Sequence, residues 1–456
     1  MKQMFKSFAV SAAIAAGITA CSNEEIVPDV QPTIERANLT IVVNNNAAAT
    51  RAVEDNNAVA AETQIKSITL FVYGAATTAE DDTTFNLSAP TDFADGTNVY
   101  KVTFNNAPIG NKKVYVGVNL SNDLRKAIHD KGVSAVNQTA LTELSSSDKG
   151  FPMFSDDSKP FSVIIEQGKT NELQVSVKRF VAKVTAETTE DFENNVGNAR
   201  KVDGVEIDKN LTFAMGQVNT KFFPYIQKTN GVYQDPNYFA EIIEGKLGYQ
   251  SDFTNEFYDF KANSDWTSTT DGVFNNFKSV TTKVDAADIK NFKPGYVLEN
   301  TNALKKEGEL TFAFIKAKFI PEFTHEYSPA TGIKAIENTA KKNDYSKLYV
   351  FDNGGNYYYF QDKTQADSYK SSIGIDYMVY TDCTCFYMVY LGEDAKNYAV
   401  LRNDYIKLQI EKVMRLGDPY QGPTDPIAEK GGKAALQVSI TVQAWNTTTQ
   451  SVQLGE

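Results

Sequence analysis

Apolar positions in this chain recur mostly at every second residue, the period of a strand with one face buried. Leu39, Ile41 and Val43 share one face of the run Leu39-Thr40-Ile41-Val42-Val43, which predicts a first strand ending in Asn44-Asn45-Asn46. Ile68, Leu70 and Val72 alternate with Thr69 and Phe71 in a second. Val102-Thr103-Phe104 and Val114 to Val118 follow, with Pro108-Ile109-Gly110-Asn111 as the turn between them. Phe161 to Ile165 and Leu173 to Val177 predict a hairpin around Gly168. In the second half, strands are predicted at 180–186, 211–215, 310–319, 348–351, 357–360, 386–391, 406–413 and 436–444. Asp352-Asn353-Gly354-Gly355-Asn356 reads as a hairpin turn, since it lacks the ligand spacing and final Glu of a calcium loop. The clearest helical period lies from Ser121 to Asp130, where Ser121 can cap and Leu124, Ala127 and Ile128 share a face. Many short strands, regular turns and few helices predict an all-β chain of two sandwiches with a few short helices in loops. The stretch 228–300, rich in Asn, Asp, Phe and Tyr, is expected to decorate the surface as loops.

The first residues break this pattern. Lys2 and Lys6 precede an apolar run from Phe8 to Ile18, too short to span a bilayer comfortably, and together they predict a secretory signal. Ile18-Thr19-Ala20-Cys21 fits a lipoprotein cleavage box, with small residues beside the scissile bond and a thiol to take the lipid. An ordinary signal with a chance cysteine is the alternative, but the box falls where the apolar run ends. Acyl chains at about 0.8 kcal/mol per buried CH₂ anchor firmly. The acidic run Ser22-Asn23-Glu24-Glu25 is similar to a surface-export signal of some Gram-negative lipoproteins, and 22–35 reads as a tether.

Composition narrows the partners. Among 456 residues the net charge is −12, which disfavours nucleic acid and anionic membrane surfaces. Aromatic residues make up 12%, and Tyr and Phe dominate them, consistent with sheet chemistry. Beyond Cys21 there are Cys383 and Cys385, one residue apart on a strand-like run, so a disulfide between them is strained and two ligands alone do not make a zinc site. They read as small buried residues. His129, on the short helix, and His325, in a polar loop, belong to no triad or ligand set. The chain has no GxSxG, HExxH, phosphate loop or GxGxxG, so no enzyme, metal or cofactor is expected. Tyr357-Tyr358-Tyr359 could stack on sugars, although half of an alternating run belongs to the core.

Four segments, in this order, resemble the FimA/Mfa-like fimbrillins, subunits of type V pili. They are Gly150-Phe151-Pro152-Met153-Phe154-Ser155; Val177-Lys178-Arg179-Phe180-Val181-Ala182-Lys183-Val184; Arg402-Asn403-Asp404-Tyr405 through Gly417-Asp418-Pro419; and Val438 to Trp445 with the tail beyond. They span most of the mature chain, while the sequence between them matches poorly. The resemblance implies two tandem transthyretin-like Greek-key sandwiches. It also implies a lipidated precursor at the outer membrane and cell surface, matured there by a trypsin-like, Arg-specific protease and then built into an extracellular fimbrium. In that scheme the protease cuts after an arginine beyond the first strand, the strand leaves, and another subunit's C-terminal segment fills the groove.

The residues supply each part. Leu39, Ile41 and Val43 would occupy the groove. Arg51, after Ala47-Ala48-Ala49-Thr50 and before Ala52, sits in a loop-like segment open to proteolysis, although a solvated loop arginine would look the same. Arg36 is a second candidate, but a cut there leaves the strand in place. Ile440, Val442, Val452 and Leu454 lie on apolar faces of the two C-terminal runs, either of which can also be an ordinary strand of its own domain; 446–456 is the favoured donor, with 436–445 able to swing out too. The expected organisation is a signal peptide over 1–20, a propeptide over 21–51, an N-terminal sandwich over 52–177 and a C-terminal one over 178–456. Partners are other copies of the chain and other pilus subunits. A shaft subunit that supports adhesion is the leading expectation; a tip adhesin of the same family and a surface glycan-binding lipoprotein are the alternatives.

Overall fold

The computed structural model describes residues 36–44, 65–74, 83–88, 99–135, 137–138, 144, 150–156, 161–216, 219, 221–236, 278–279, 295–301, 311–391, 399–419 and 436–444. Among the described residues helices are few, and the fold is all-β. The N-terminal half holds β1 (Arg36–Asn44), β2 (Ser67–Gly74), β3 (Thr83–Ser88), β4 (Val99–Pro108), β5 (Gly110–Val118), helix α1 (Asn122–Lys131), β6 (Asn137–Gln138), β7 (Met153–Ser155), β8 (Ser162–Ile165) and β9 (Asn171–Arg179).

Seven of these strands run in the order β3-β2-β5-β7-β9-β1-β4. The path folds into two layers through β9, which pairs with β7 on one side and β1 on the other. Aliphatic residues of both layers, among them Ile41, Val43, Leu70, Val72, Val116 and Val118, meet in one core. The turn at Pro108–Asn111 is therefore not a hairpin between its flanking strands. β4 pairs with β1 and β5 with β2, so the chain crosses between layers there. The expected hairpin around Gly168 is also corrected. β8 pairs antiparallel with β5, not with β9, because the chain changes partner strand at the turn before Asn171. Helix α1 begins as its sequence predicts, with the Ser121 hydroxyl accepting from the Leu124 amide and Leu124 and Ile128 buried.

The C-terminal half holds β10 (Val181–Thr188), α2 (Glu190–Asn194), β11 (Lys201–Val202), β12 (Val205–Ile207), β13 (Thr212–Gly216), β14 (Lys221–Phe222), β15 (Gln227–Thr229), β16 (Val232–Gln234), β17 (Lys278–Ser279) and β18 (Gly295–Leu298). It continues with β19 (Phe312–Pro321), β20 (Phe323–Ser328), β21 (Gly332–Glu337), β22 (Lys347–Asn353), β23 (Asn356–Phe360), α3 (Lys363–Ile373), β24 (Met378–Thr381), β25 (Thr384–Tyr390), β26 (Asp404–Val413) and β27 (Leu436–Ala444). One sheet runs β18-β10-β26-β27, and a second runs β11-β12-β19-β13-β17 with β25 on β19.

A third sheet, β21-β20-β23-β22-β24, is inserted between the paired strands β19 and β25. Its helix α3 closes a small aromatic core of Tyr349, Phe351, Phe360, Ala366 and Tyr369. The Asp352–Asn356 turn joins β22 to β23 as a hairpin, and the Asp352 carboxylate accepts from the Gly355 amide. His325 is not in a loop: it lies on β20, where its Nδ1 accepts from the Tyr359 amide at 3.0 Å and burial holds its pKa low. Cys383 and Cys385 are free and buried, with Cys383 in the turn before β25 at φ 48 and Cys385 on the strand.

Candidate functional site at the first strand

β1 forms because its odd-numbered residues are aliphatic and its even-numbered ones tolerate solvent. Leu39, Ile41 and Val43 are each 0% exposed, while Thr40 and Val42 keep contact with solvent. β1 is an interior strand of its sheet, antiparallel to β4 and parallel to β9. Across the inward rows, Ile41 stands between Val102 and Leu173, and Val43 between Tyr100 and Val175. Three aliphatic side chains at about 1.5–3 kcal/mol each give about 5–9 kcal/mol of burial before ordering costs. Removing this strand would strip backbone partners from two neighbours at once and uncover the core beneath.

Polar contacts gauge the seat on its outer face. The Thr40 and Thr103 hydroxyls lie 3.0 Å apart. At the entry end, the Asn171 amide donates to the Asn38 carbonyl at 3.0 Å while Asn171 Oδ1 accepts from the Glu166 amide. A bulge between Ala37 and Leu39 marks the same end, where the Arg36 guanidinium donates to the Asn106 carbonyl. Lys101 on β4 reaches Glu172 on β9 at 2.7 Å, so an ion pair between the two flanking strands passes over β1. Arg36 is thus part of the strand itself.

Cys21, Arg51, Ala52, Val452 and Leu454 lie outside the described residues. Ile440 and Val442 are on β27, which ends its sheet and pairs only with β26 among the described residues. There Ile440 stands opposite Leu408 and Val442 opposite Ile406.

Two of the quoted sequence motifs and the start of a third converge elsewhere, on the junction between the halves. The Arg179 guanidinium, 1% exposed, donates to Asn403 Oδ1 at 2.9 Å. The Arg402 guanidinium stacks over Phe180 and pairs with Glu299 at 2.8 Å, and the two side chains are 2% and 4% exposed. Arg402 also donates to the carbonyls of Phe223 and Pro224. Phe154 stacks with Phe180, and the Phe180 amide donates to the Pro152 carbonyl. β14 pairs with β6 of the other half, and Tyr225 packs edge-on against Tyr115 and Phe161. Gly417, at the far end of the third motif, packs within the C-terminal half: a Cβ there would meet the Phe386 carbonyl oxygen at 2.7 Å. Glu299, Phe223 and Pro224, which complete the junction, lie outside the quoted motifs, and no local sequence pattern marks them.

Among the described residues, no group of three His, Cys, Asp or Glu converges as a metal site would need, and no helix is long and apolar enough to cross a membrane.

No family model matches this chain, and no curated protein matches it. Several solved structures are similar. A putative cell adhesion protein from Parabacteroides distasonis ATCC 8503 shares 14% identity over 91% of this chain and 100% of its own, with a TM-score of 0.46. A fimbrilin from Porphyromonas gingivalis W83 shares 12% over 92% of this chain and 100% of its own, with a TM-score of 0.47. The tip fimbrial protein Mfa3 from Porphyromonas gingivalis shares 11% over 90% and 100%, with a TM-score of 0.35.

Proposed function

We propose that this chain is the structural subunit of a surface fimbria, delivered as a lipoprotein and assembled by strand exchange to support adhesion. The observation that carries this reading is β1: an interior strand, close to the chain's start, with Leu39, Ile41 and Val43 fully buried. Lipid on Cys21 holds the precursor at the outer membrane and cell surface. An Arg-specific protease cuts between Arg51 and Ala52 and frees the propeptide with β1. The opened groove then takes a C-terminal segment, drawn from 436–456, of another copy or another pilus subunit. Backbone pairing along both walls gives register, and the head-to-tail contact builds an open filament.

The reading is tested by treating purified precursor with trypsin and following ladders on gels. Wild type is expected to polymerise after the cut, and Arg51→Ala to remain a monomer. Ladders from uncut Arg51→Ala would sink the mechanism. A second reading, a tip adhesin, draws support from the sheet and helix inserted between β19 and β25, which enlarge the C-terminal half. A subunit that caps chains and never lies between two others in mixed filaments would favour it.

A further inference from the structure

The seat of β1 carries enough detail to choose among candidate donors and to fix a register. This step rests on the strand-exchange reading above. The groove has three apolar places, now filled by Leu39, Ile41 and Val43. Between them, on the outer face, two positions lie beneath or beside the Lys101–Glu172 ion pair. Thr40 stands in the row of Thr103 and Glu172, and Val42 in the row of Lys101 and Gln174. Long side chains at these two positions would have to displace that pair. A hydroxyl at the first keeps the contact to Thr103.

The segment 446–456 offers only Val452 and Leu454 on one face, so it fills two of three apolar places. β27 offers Val438, Ile440 and Val442. Laying Ile440 on the Ile41 place sets Val438-Ser439-Ile440-Thr441-Val442 over Leu39-Thr40-Ile41-Val42-Val43. That register puts Ser439 opposite Thr103 and Thr441 opposite Lys101. A slip of two residues either way brings Gln437 or Gln443 beneath the ion pair. A slip of one puts serine and threonine into the apolar places. β27 and β1 are also equal in length, nine residues each. Among the described residues β27 ends a sheet and pairs with β26, so its release exposes the backbone of that one strand there.

We infer that the groove selects β27 of a second copy, parallel to β9, with Ser439 in the Thr40 place and the Lys101–Glu172 pair closed above it. The selecting residues are therefore Thr103, Lys101 and Glu172, and the partner is another copy's Val438–Val442 segment.

Paired cysteines read the register directly. Thr103→Cys is combined with Ser439→Cys, Thr441→Cys or Gln453→Cys in the full chain, cut with trypsin and oxidised mildly. Buried Cys383 and Cys385 stay in place. The Ser439 pair is expected to give disulfide-linked ladders at least ten times more abundant than either alternative. Ladders led by the Gln453 pair would overturn the choice of β27 and leave strand exchange intact. Ladders led by the Thr441 pair would overturn the register or the direction. If the cut wild type, without cysteines added, fails to form polymers at all, the strand-exchange reading falls and this inference with it.

Discussion

The first strands of the two halves make the same pairings and differ in how they are held. β1 is antiparallel to β4 and parallel to β9; β10 is antiparallel to β18 and parallel to β26. β10 is buried on both faces, with Lys183 and Thr185 as enclosed as Val184, and only Phe180 separates it from β9. β1 alternates buried with solvent-touched residues, and its outer face meets Thr103, Asn171 and the crossing ion pair. The same topological place thus holds a strand built into the joint in one half and a strand with a single buried face in the other. A strand with one buried face, near the chain's start, can leave at a cost of a few buried side chains. One enclosed on both faces cannot leave without dismantling the junction.

The largest expected effect breaks this contrast if it fails. Val184→Asp buries an unpaired carboxylate and should destabilise the protein by more than about 3 kcal/mol before and after trypsin cleavage. Ile41→Asp should cost as much in the precursor yet have no effect on the melting of the cut protein, because the residue has left. Calorimetry on the four samples separates the cases. Next, Arg402→Ala leaves Glu299 buried without its cation and should cost about 3–5 kcal/mol in urea unfolding, whereas Arg402→Met with Glu299→Leu should recover most of that loss. A smaller effect is expected at Gly417→Ala, where the added Cβ meets the Phe386 carbonyl and should cost about 1–3 kcal/mol by the same measurement. The smallest concerns the thiols. Burial pushes Cys383 up to about 11 and Cys385 up to about 12, so both stay protonated near pH 8 and should resist iodoacetamide in the folded protein. Alkylation within minutes, read by mass spectrometry, would place them at a mobile surface.

Alternation made the long strands legible: Leu39 to Val43, Ile406 to Val413 and Leu436 to Ala444 all lie where their period places them. Pairing was less legible, because a period of two says which face is buried and not which strand lies alongside. β8 therefore joins β5 in place of its neighbour β9. Within the inserted sheet only β22 and β23 carry a strand period in the sequence. Its edge strand β21 is exposed over most of its length, and α3 buries only Ala366 and Tyr369, so neither carries a strong apolar rhythm. Three of the four motifs that carry the family resemblance meet at the joint between the halves, where Phe154, Arg179, Phe180, Arg402 and Asn403 come together. The seat of β1 was legible as an apolar face, while the Lys101–Glu172 pair across it depends on β4 and β9 being brought to either side, which no local pattern encodes.

The central claim is that the working subunit lacks its first strand. N-terminal sequencing with intact mass of subunits purified from shed filaments tests it most directly. The account predicts a chain beginning at Ala52, with residues 36–44 and the lipid on Cys21 both gone. Filament subunits that still carry Leu39 to Val43 would contradict it.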